Sequence, residues 1–174
     1  MSFFELLRGH RRAANVAAAL ACFALVGYAL YTQRFEALEP CPLCIFQRVA
    51  VFALGVAFVI AAALPDRPVA FGYLASALTT LAAGSGAGIA ARHVYIQSLP
   101  PGQVPSCGAT LDYMLDVFPL TEVLRKVLTG SGECAKVDWT FLGLSMPGWV
   151  LIWAIGLGVA GLVINWPGRR GARI

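Results

Sequence analysis

Four of the five cysteines in this sequence fall in places where sulfur chemistry is open to them. Cys41 and Cys44 stand three residues apart in "EPCPLCIFQRVA", and Cys107 and Cys134 stand 27 residues apart further along. A disulfide across two intervening residues closes so small a loop that it constrains the unfolded chain little, which makes it a poor staple. A Cys-x-x-Cys pair is also half of a zinc knuckle. Cys107 and Cys134 do not form a second such pair, however, and no histidine neighbours either one; no metal is expected. Thiol–disulfide exchange uses details that those readings leave idle. Ile45 is expected to open a helix, so Cys44 lies near a helix N-terminus, whose partial positive charge favours a thiolate. Arg48 follows one turn later on the same helical face. A guanidinium just inside a membrane costs about 2.5–3.5 kcal/mol on insertion scales, and a thiolate or a reduced, negatively charged cofactor would offset that cost. The plain alternative for Arg48 is snorkelling to the interface. His93 ends a later apolar run beside Arg92, with Gln97 at i+4, and the two could share a helical face directed back toward the second span. The plain alternative for His93 is a packed or solvated interfacial residue.

These residues must be positioned by helices in lipid. Of 174 residues, 59% are hydrophobic and 13% charged, against soluble averages of about 45–50% and about 25%. Four apolar runs approach the spanning length of about 20 residues: 13–31, 45–64, 69–91 and 149–166. The expected fold is an all-α integral membrane protein, a four-helix transmembrane bundle forming a single membrane domain over 1–174. Its outer loops are 32–44 and 92–148, the second carrying short helices. The first run is longer than the roughly 7–15 residues of a secretory h-region, so it is expected to remain as a helix. With four spans the termini share a side with "PDRP", and that side carries a net +5 against −1 on the other. The positive-inside rule then places both termini in the cytoplasm and the cysteine loops outside. The overall charge of +4 is a topology signal, and nucleic acid is not an expected partner.

Gly84 and Gly88 in "GSGAG", and Gly156, Gly158 and Gly161, are expected to let helices approach closely. Cys22, mid-span, is expected to pack as a small apolar residue. The four loop cysteines face the oxidising side of a membrane, where they allow three disulfide connectivities. "PPGQVPSCGA" is turn-rich, and "LDYMLDVFPLTEVLRKVL" spaces apolar residues at helical intervals around Pro119. It reads equally as amphipathic helices on the membrane surface or as an ordinary packed loop.

Taken together, "PCPLCIFQR", "SCGATLDYM", "GECA" and "WTFLGLSMPGW" make the chain, over roughly 13–166, similar to the DsbB family of bacterial membrane disulfide-bond formation proteins. The resemblance implies a quinone-dependent protein-dithiol oxidoreductase of the bacterial inner membrane. It would reoxidise a periplasmic thiol oxidase, DsbA, and pass the electrons to a membrane quinone, ubiquinone or menaquinone. By position, Cys107 would form the mixed disulfide with DsbA, Cys134 would be its partner, and Cys41 would take electrons from that pair. Cys44 would face the quinone with Arg48, and His93 and Gln97 would approach it. The energetics agree: a strong oxidant near about −120 mV is beyond regeneration by glutathione pools at about −180 mV or lower. Two other readings remain: a quinone-linked thiol oxidoreductase serving a different partner, and a structural membrane subunit with two inert disulfides.

Overall fold

The computed structural model describes residues 10–36, 40–65, 68–100, 111–130 and 132–167. Its elements in chain order are α1 (Arg11–Phe35), α2 (Pro42–Ala63), α3 (Ala70–Gln97), α4 (Leu111–Val117), α5 (Leu120–Thr129), α6 (Gly132–Ala135), β1 (Thr140–Phe141), β2 (Leu144–Ser145) and α7 (Met146–Asn165). Four of these, α1, α2, α3 and α7, are long and apolar enough to cross a membrane. The all-α transmembrane bundle read from the sequence is therefore the fold, with one small addition in the strand pair.

The helices outrun the apolar segments that announced them. Pro42 takes the first position of α2, where its missing N–H costs no helical hydrogen bond, so the helix starts three residues ahead of Ile45. At the other extreme α3 continues to Gln97, so His93 and Gln97 ride on a helix that stands above the apolar run. The strand pair is a hairpin in which Thr140 faces Ser145 and Phe141 faces Leu144. Its turn residues Leu142 and Gly143 both have positive φ, the backbone of a tight hairpin turn. Alternation over two residues per strand is too short a pattern to read from sequence.

Helix α1 packs on α2, α2 on α3, and α3 most extensively on α7. Ala18, Ala19, Cys22, Val51, Leu54, Phe58, Ala83 and Leu157 form the central cluster. Cys22 is fully buried there, as a small apolar residue would be. Leu20, Leu81, Ile155 and Val159 face outward, which suits a lipid-exposed surface. Close approach comes from only two of the expected glycines, Gly158 and Gly161, and from Gly86 in place of Gly84 and Gly88. A Cβ on Gly84, Gly88 or Gly156 would meet nothing within 4 Å, whereas one on Gly86 would touch Ala50 and Ala154. On α7, a Cβ at Gly158 would stand 2.8 Å from Ala83 Cβ, and one at Gly161 2.8 Å from Thr79 Oγ1. The small-xxx-small reading found the right helices and the wrong face of α3.

The end of the bundle that carries the chain termini holds a polar clamp. Arg11 donates through Nε to Asn165 Oδ1 (3.1 Å), through Nη2 to the Ala61 carbonyl (3.0 Å) and through Nη1 to the Leu64 carbonyl (3.3 Å). Carbonyls at a helix C-terminus lack helical partners, and Arg11 supplies donors to the end of α2. Asn15 and Asn165 exchange amide hydrogen bonds, both 3.0 Å. All three side chains are buried. Arg11 thus joins α1, α2 and α7, a role that counting it as a flanking surface charge did not reveal.

Over the opposite end, α4 and α5 are separated at Pro119, the N-cap of α5. Met114, Val123 and Val127 turn inward onto Cys41, Leu43, Ile96 and Cys134. Leu115, Leu120, Leu124 and Leu128 turn outward, leaving an apolar outer stripe. Arg92 of α3 fastens α5 by donating to the Leu128 and Thr129 carbonyls at 2.9 and 3.0 Å. Gly130 then leaves the helix at φ 88, with the Ile96 side chain occupying the space a Cβ would need.

Candidate functional site

The start of α2 separates the two neighbouring cysteines. Cys41 is the N-cap, with extended backbone at φ −65 and ψ 162, and its carbonyl accepts the Ile45 N–H at 3.2 Å. Cys44 lies within the first helical turn. Their Sγ atoms are 3.3 Å apart, close enough for side-chain rotation alone to bring them to bonding distance.

The two sulfurs look onto different surroundings. Cys44, Gln47, Arg48 and Val51 follow one another at i, i+3, i+4 and i+7 and form one wall of a cavity of about 450 Å³. Leu25, Val26, Tyr28 and Ala29 of α1 form a second wall, and Trp139, Phe141, Met146, Trp149, Val150 and Trp153 close the third. The hairpin holds that third wall in place. The Trp149 indole N–H donates to the Phe141 carbonyl at 3.0 Å. Trp139 and Phe141 stack with ring centres 6.1 Å apart, and Tyr28 meets Trp139 edge-on at 6.5 Å. Among the described residues Arg48 is the cavity's one charged lining residue. Its guanidinium donates to the Ala29 carbonyl at 3.0 Å and to the Gln33 side-chain oxygen. Arg48 therefore keeps its charge inside the bundle by means of α1 acceptors.

Cys41 faces the other way. His93 Nε2 is 3.7 Å from Cys41 Sγ and 3.0 Å from the Cys134 carbonyl oxygen. A carbonyl only accepts, so Nε2 carries the proton. His93 Nδ1 then accepts from the Gln47 amide, 3.3 Å away. Both Gln47 and His93 are almost fully buried, at 3% and 2% exposed. Gln47 thus touches the cavity on one side and His93 on the other. Cys134, carried by α6, is buried in the same apolar cluster as Cys41.

The structure therefore divides the expected site residues. Cys44 and Arg48 share the cavity, while Cys41, His93 and Cys134 share the chamber beneath α4–α6. Neither His93 nor Gln97 is among the cavity's lining residues. Gln97 instead accepts a 2.7 Å hydrogen bond from Ser145, the residue before α7, and donates to the Lys136 carbonyl at 3.5 Å. It braces the hairpin that closes the cavity. Cys107, with the rest of 101–110, lies outside the described residues. Gln33 and Gln47, which complete the two halves, were not read from the sequence. Gln47 lies at i+3 from Cys44, and that spacing was the available signal.

Comparison with known proteins agrees over most of the chain. Residues 11–164 match the family model for disulfide bond formation protein DsbB. The disulfide bond formation protein B of Methylococcus capsulatus (strain ATCC 33009 / NCIMB 11132 / Bath) is 51% identical over 152 residues, 87% of this chain and 92% of that protein. Proteins of the same name from Xanthomonas euvesicatoria pv. vesicatoria and Nitrosococcus oceani are 46% and 51% identical, over 151 and 142 residues. These cover 87% and 81% of this chain and 88% and 83% of those proteins.

Proposed function

Because the chain belongs to the disulfide bond formation protein DsbB family, we propose that this multi-pass membrane thiol oxidoreductase reoxidises a DsbA-like periplasmic partner and delivers the electrons to a membrane quinone. The observation that carries the reading is the division at the start of α2: one sulfur of a pair 3.3 Å apart lines an apolar cavity, and its neighbour faces the chamber that holds Cys134.

The cavity suits a quinone ring. Its volume of about 450 Å³ falls in the usual range for small-molecule sites, about 300–1,000 Å³. Its walls are aromatic and aliphatic, with Arg48 and Gln47 as the polar contributors. A quinone bound there would supply a two-electron, two-proton acceptor for a dithiol. Leu25, Val26, Trp149 and Trp153 would hold the ring, and Arg48 would donate to a ring oxygen and stabilise negative charge as it develops. Apolar walls exclude water, which strengthens that interaction.

The chain's own residues carry the thiol steps. The partner's thiolate attacks the Cys107–Cys134 disulfide, with Cys107 receiving the mixed disulfide; the partner's second thiolate then resolves it, leaving both loop cysteines reduced. Exchange with the Cys41–Cys44 disulfide, begun at Cys41, restores the loop pair. Each exchange forms one S–S bond and breaks one. His93 Nε2, hydrogen-bonded to the Cys134 carbonyl and 3.7 Å from Cys41 Sγ, would share its N–H with the thiolate that leaves there. Cys44 then stands as the thiolate at the cavity wall, beside Arg48. The termini would lie in the cytoplasm and the cysteine end in the periplasm, following the charge asymmetry.

Purified protein in detergent, given ubiquinone or menaquinone and reduced DsbA, tests the reading by ultraviolet absorbance. Catalytic loss of quinone that disappears in Cys44→Ser is expected. No turnover from folded protein with any quinone would overturn it. A mixed disulfide trapped at Cys41, by a DsbA lacking its second active-site cysteine, would overturn the assignment of Cys107.

A further inference from the structure

The two sulfurs at the start of α2 and the α3 histidine form a cluster that electron transfer does not fully explain. Cys41 Sγ, Cys44 Sγ and a ring nitrogen of His93 all lie within 4.8 Å of one another. Sequence spacing offered half a zinc knuckle and no second half; the fold brings the third donor from 52 residues away. We propose that the reduced Cys41–Cys44 dithiol and His93 bind a thiophilic divalent cation such as Zn²⁺, which the disulfide form cannot hold. The inhibitory consequence, though not the binding itself, rests on the oxidase reading.

The geometry is close to what the ion needs. With Zn–S near 2.3 Å and Zn–N near 2.0–2.1 Å, tetrahedral ligands stand about 3.6 Å apart for sulfur and nitrogen and about 3.8 Å for two sulfurs. The observed separations are 3.7 Å from Cys41 Sγ to His93 Nε2 and 3.3 Å between the sulfurs. The first edge fits as it stands, and the second opens by about half an ångström on the same scale. The Cys134 carbonyl oxygen, 3.0 Å from Nε2, is in reach as a fourth ligand.

The proton accounting also closes. Binding releases two protons, one from each thiol, so a dication and two thiolates enter this largely buried site without net charge. His93 keeps one proton but moves it from Nε2 to Nδ1. Gln47 can accept it there by turning its amide to present Oε1, the arrangement that usually orients a ligating histidine. Arg48 is the opposing charge nearby, and its guanidinium is engaged by Gln33 and Ala29. The thiolate is the ligand form of cysteine, so occupancy and the disulfide state exclude each other. A cation would catch the enzyme after it has accepted electrons from its partner and before it has passed them on.

The test uses the Cys107→Ser/Cys134→Ser protein, in which Cys41 and Cys44 form the only outer dithiol and the residue 134 carbonyl is kept. Reduced protein titrated with Co²⁺ should develop thiolate-to-cobalt charge-transfer absorbance at one equivalent, displaced by Zn²⁺, and the same protein oxidised should develop none. His93→Ala, shown to be folded by circular dichroism, should bind at least tenfold more weakly. No band in the reduced protein, equal binding in both redox states, or full affinity in folded His93→Ala would each overturn the site. Should His93→Ala not fold, X-ray absorption at the cobalt edge decides instead: two sulfurs with a nitrogen neighbour support the site, and sulfurs without it overturn it. Zn²⁺ should also arrest quinone reduction by the intact protein, with recovery on chelation. Cobalt binding without any quinone turnover would sink the oxidase reading and leave the site standing; turnover with no cobalt binding would do the reverse.

Discussion

At the end that carries the chain termini, Arg11, Asn15 and Asn165 satisfy one another and the last carbonyls of α2 with short, reciprocal hydrogen bonds. At the cysteine end, Cys41, Gln47 and His93 are equally buried, yet their contacts are longer and shared. His93 Nε2 divides its attention between a sulfur and a carbonyl, and Gln47 lies between a histidine and a cavity. Both ends place polar groups where lipid or apolar side chains surround them, a costly arrangement unless each group is paired. The difference is that the clamp is held by nitrogen–oxygen hydrogen bonds of 3.0–3.3 Å, whereas at the cysteine end His93 Nε2 meets a carbonyl at 3.0 Å and a sulfur at 3.7 Å. One holds helices together, and the other is where the proposed exchange would take place.

Substitutions should separate these two roles. The largest effect is expected from Cys44→Ser, which should bring quinone-linked turnover to the uncatalysed background while leaving the melting temperature in detergent nearly unchanged. A variant that kept turnover would remove Cys44 from the electron path. Arg48→Ala should raise the apparent quinone KM or slow quinone reduction by roughly ten- to a hundredfold, in line with about 1.5–3 kcal/mol for a hydrogen bond to a charged group. Arg48→Lys should recover part of that loss. Unchanged kinetics in both would return Arg48 to an interfacial anchor.

The clamp should answer in the opposite currency. Asn165→Leu leaves Asn15 and Arg11 short of a buried partner, which should cost about 1–3 kcal/mol. It should lower the melting temperature while leaving turnover per folded molecule intact. Equal loss of activity would mean that the two ends are coupled. A smaller but sharper contrast lies on the α3–α7 contact. Gly161→Leu should destabilise by about 1–3 kcal/mol through overpacking against Thr79, and Gly84→Leu, which faces open space, should be nearly neutral in the same thermal assay.

The sequence made the bundle legible because hydropathy over some twenty residues is a strong signal. It brought out the Cys41–Cys44 pair and the stripe joining Cys44 to Arg48 because these lie at the start of one helix. What escaped it depended on neighbours. Arg11 near a span end looks like any flanking charge until Asn165, 154 residues away, arrives beside it. His93 and Gln97 do share a helical side, but periodicity gives no depth: one reaches Cys41 and the other the hairpin. The glycine register of α3 shows the same limit, since Gly84, Gly86 and Gly88 are equally small and only the packed partner decides which one matters.

The placement of the α2 start also gives the two cysteines different mechanical addresses. Residues inside a helix are locked to an azimuth, about 100° per step, so Cys44, Arg48 and Val51 inherit one heading and keep it as long as α2 is intact. Cys41, outside the first turn, is bound by no such phase. Inserting one residue after Cys44 would swing it away from Arg48's side of the rod, whereas an insertion ahead of Cys41 would leave every heading on α2 as it was. In the proposed reaction, the membrane half would thus be written in the rotation of a helix, and the aqueous half in a residue free of that rotation.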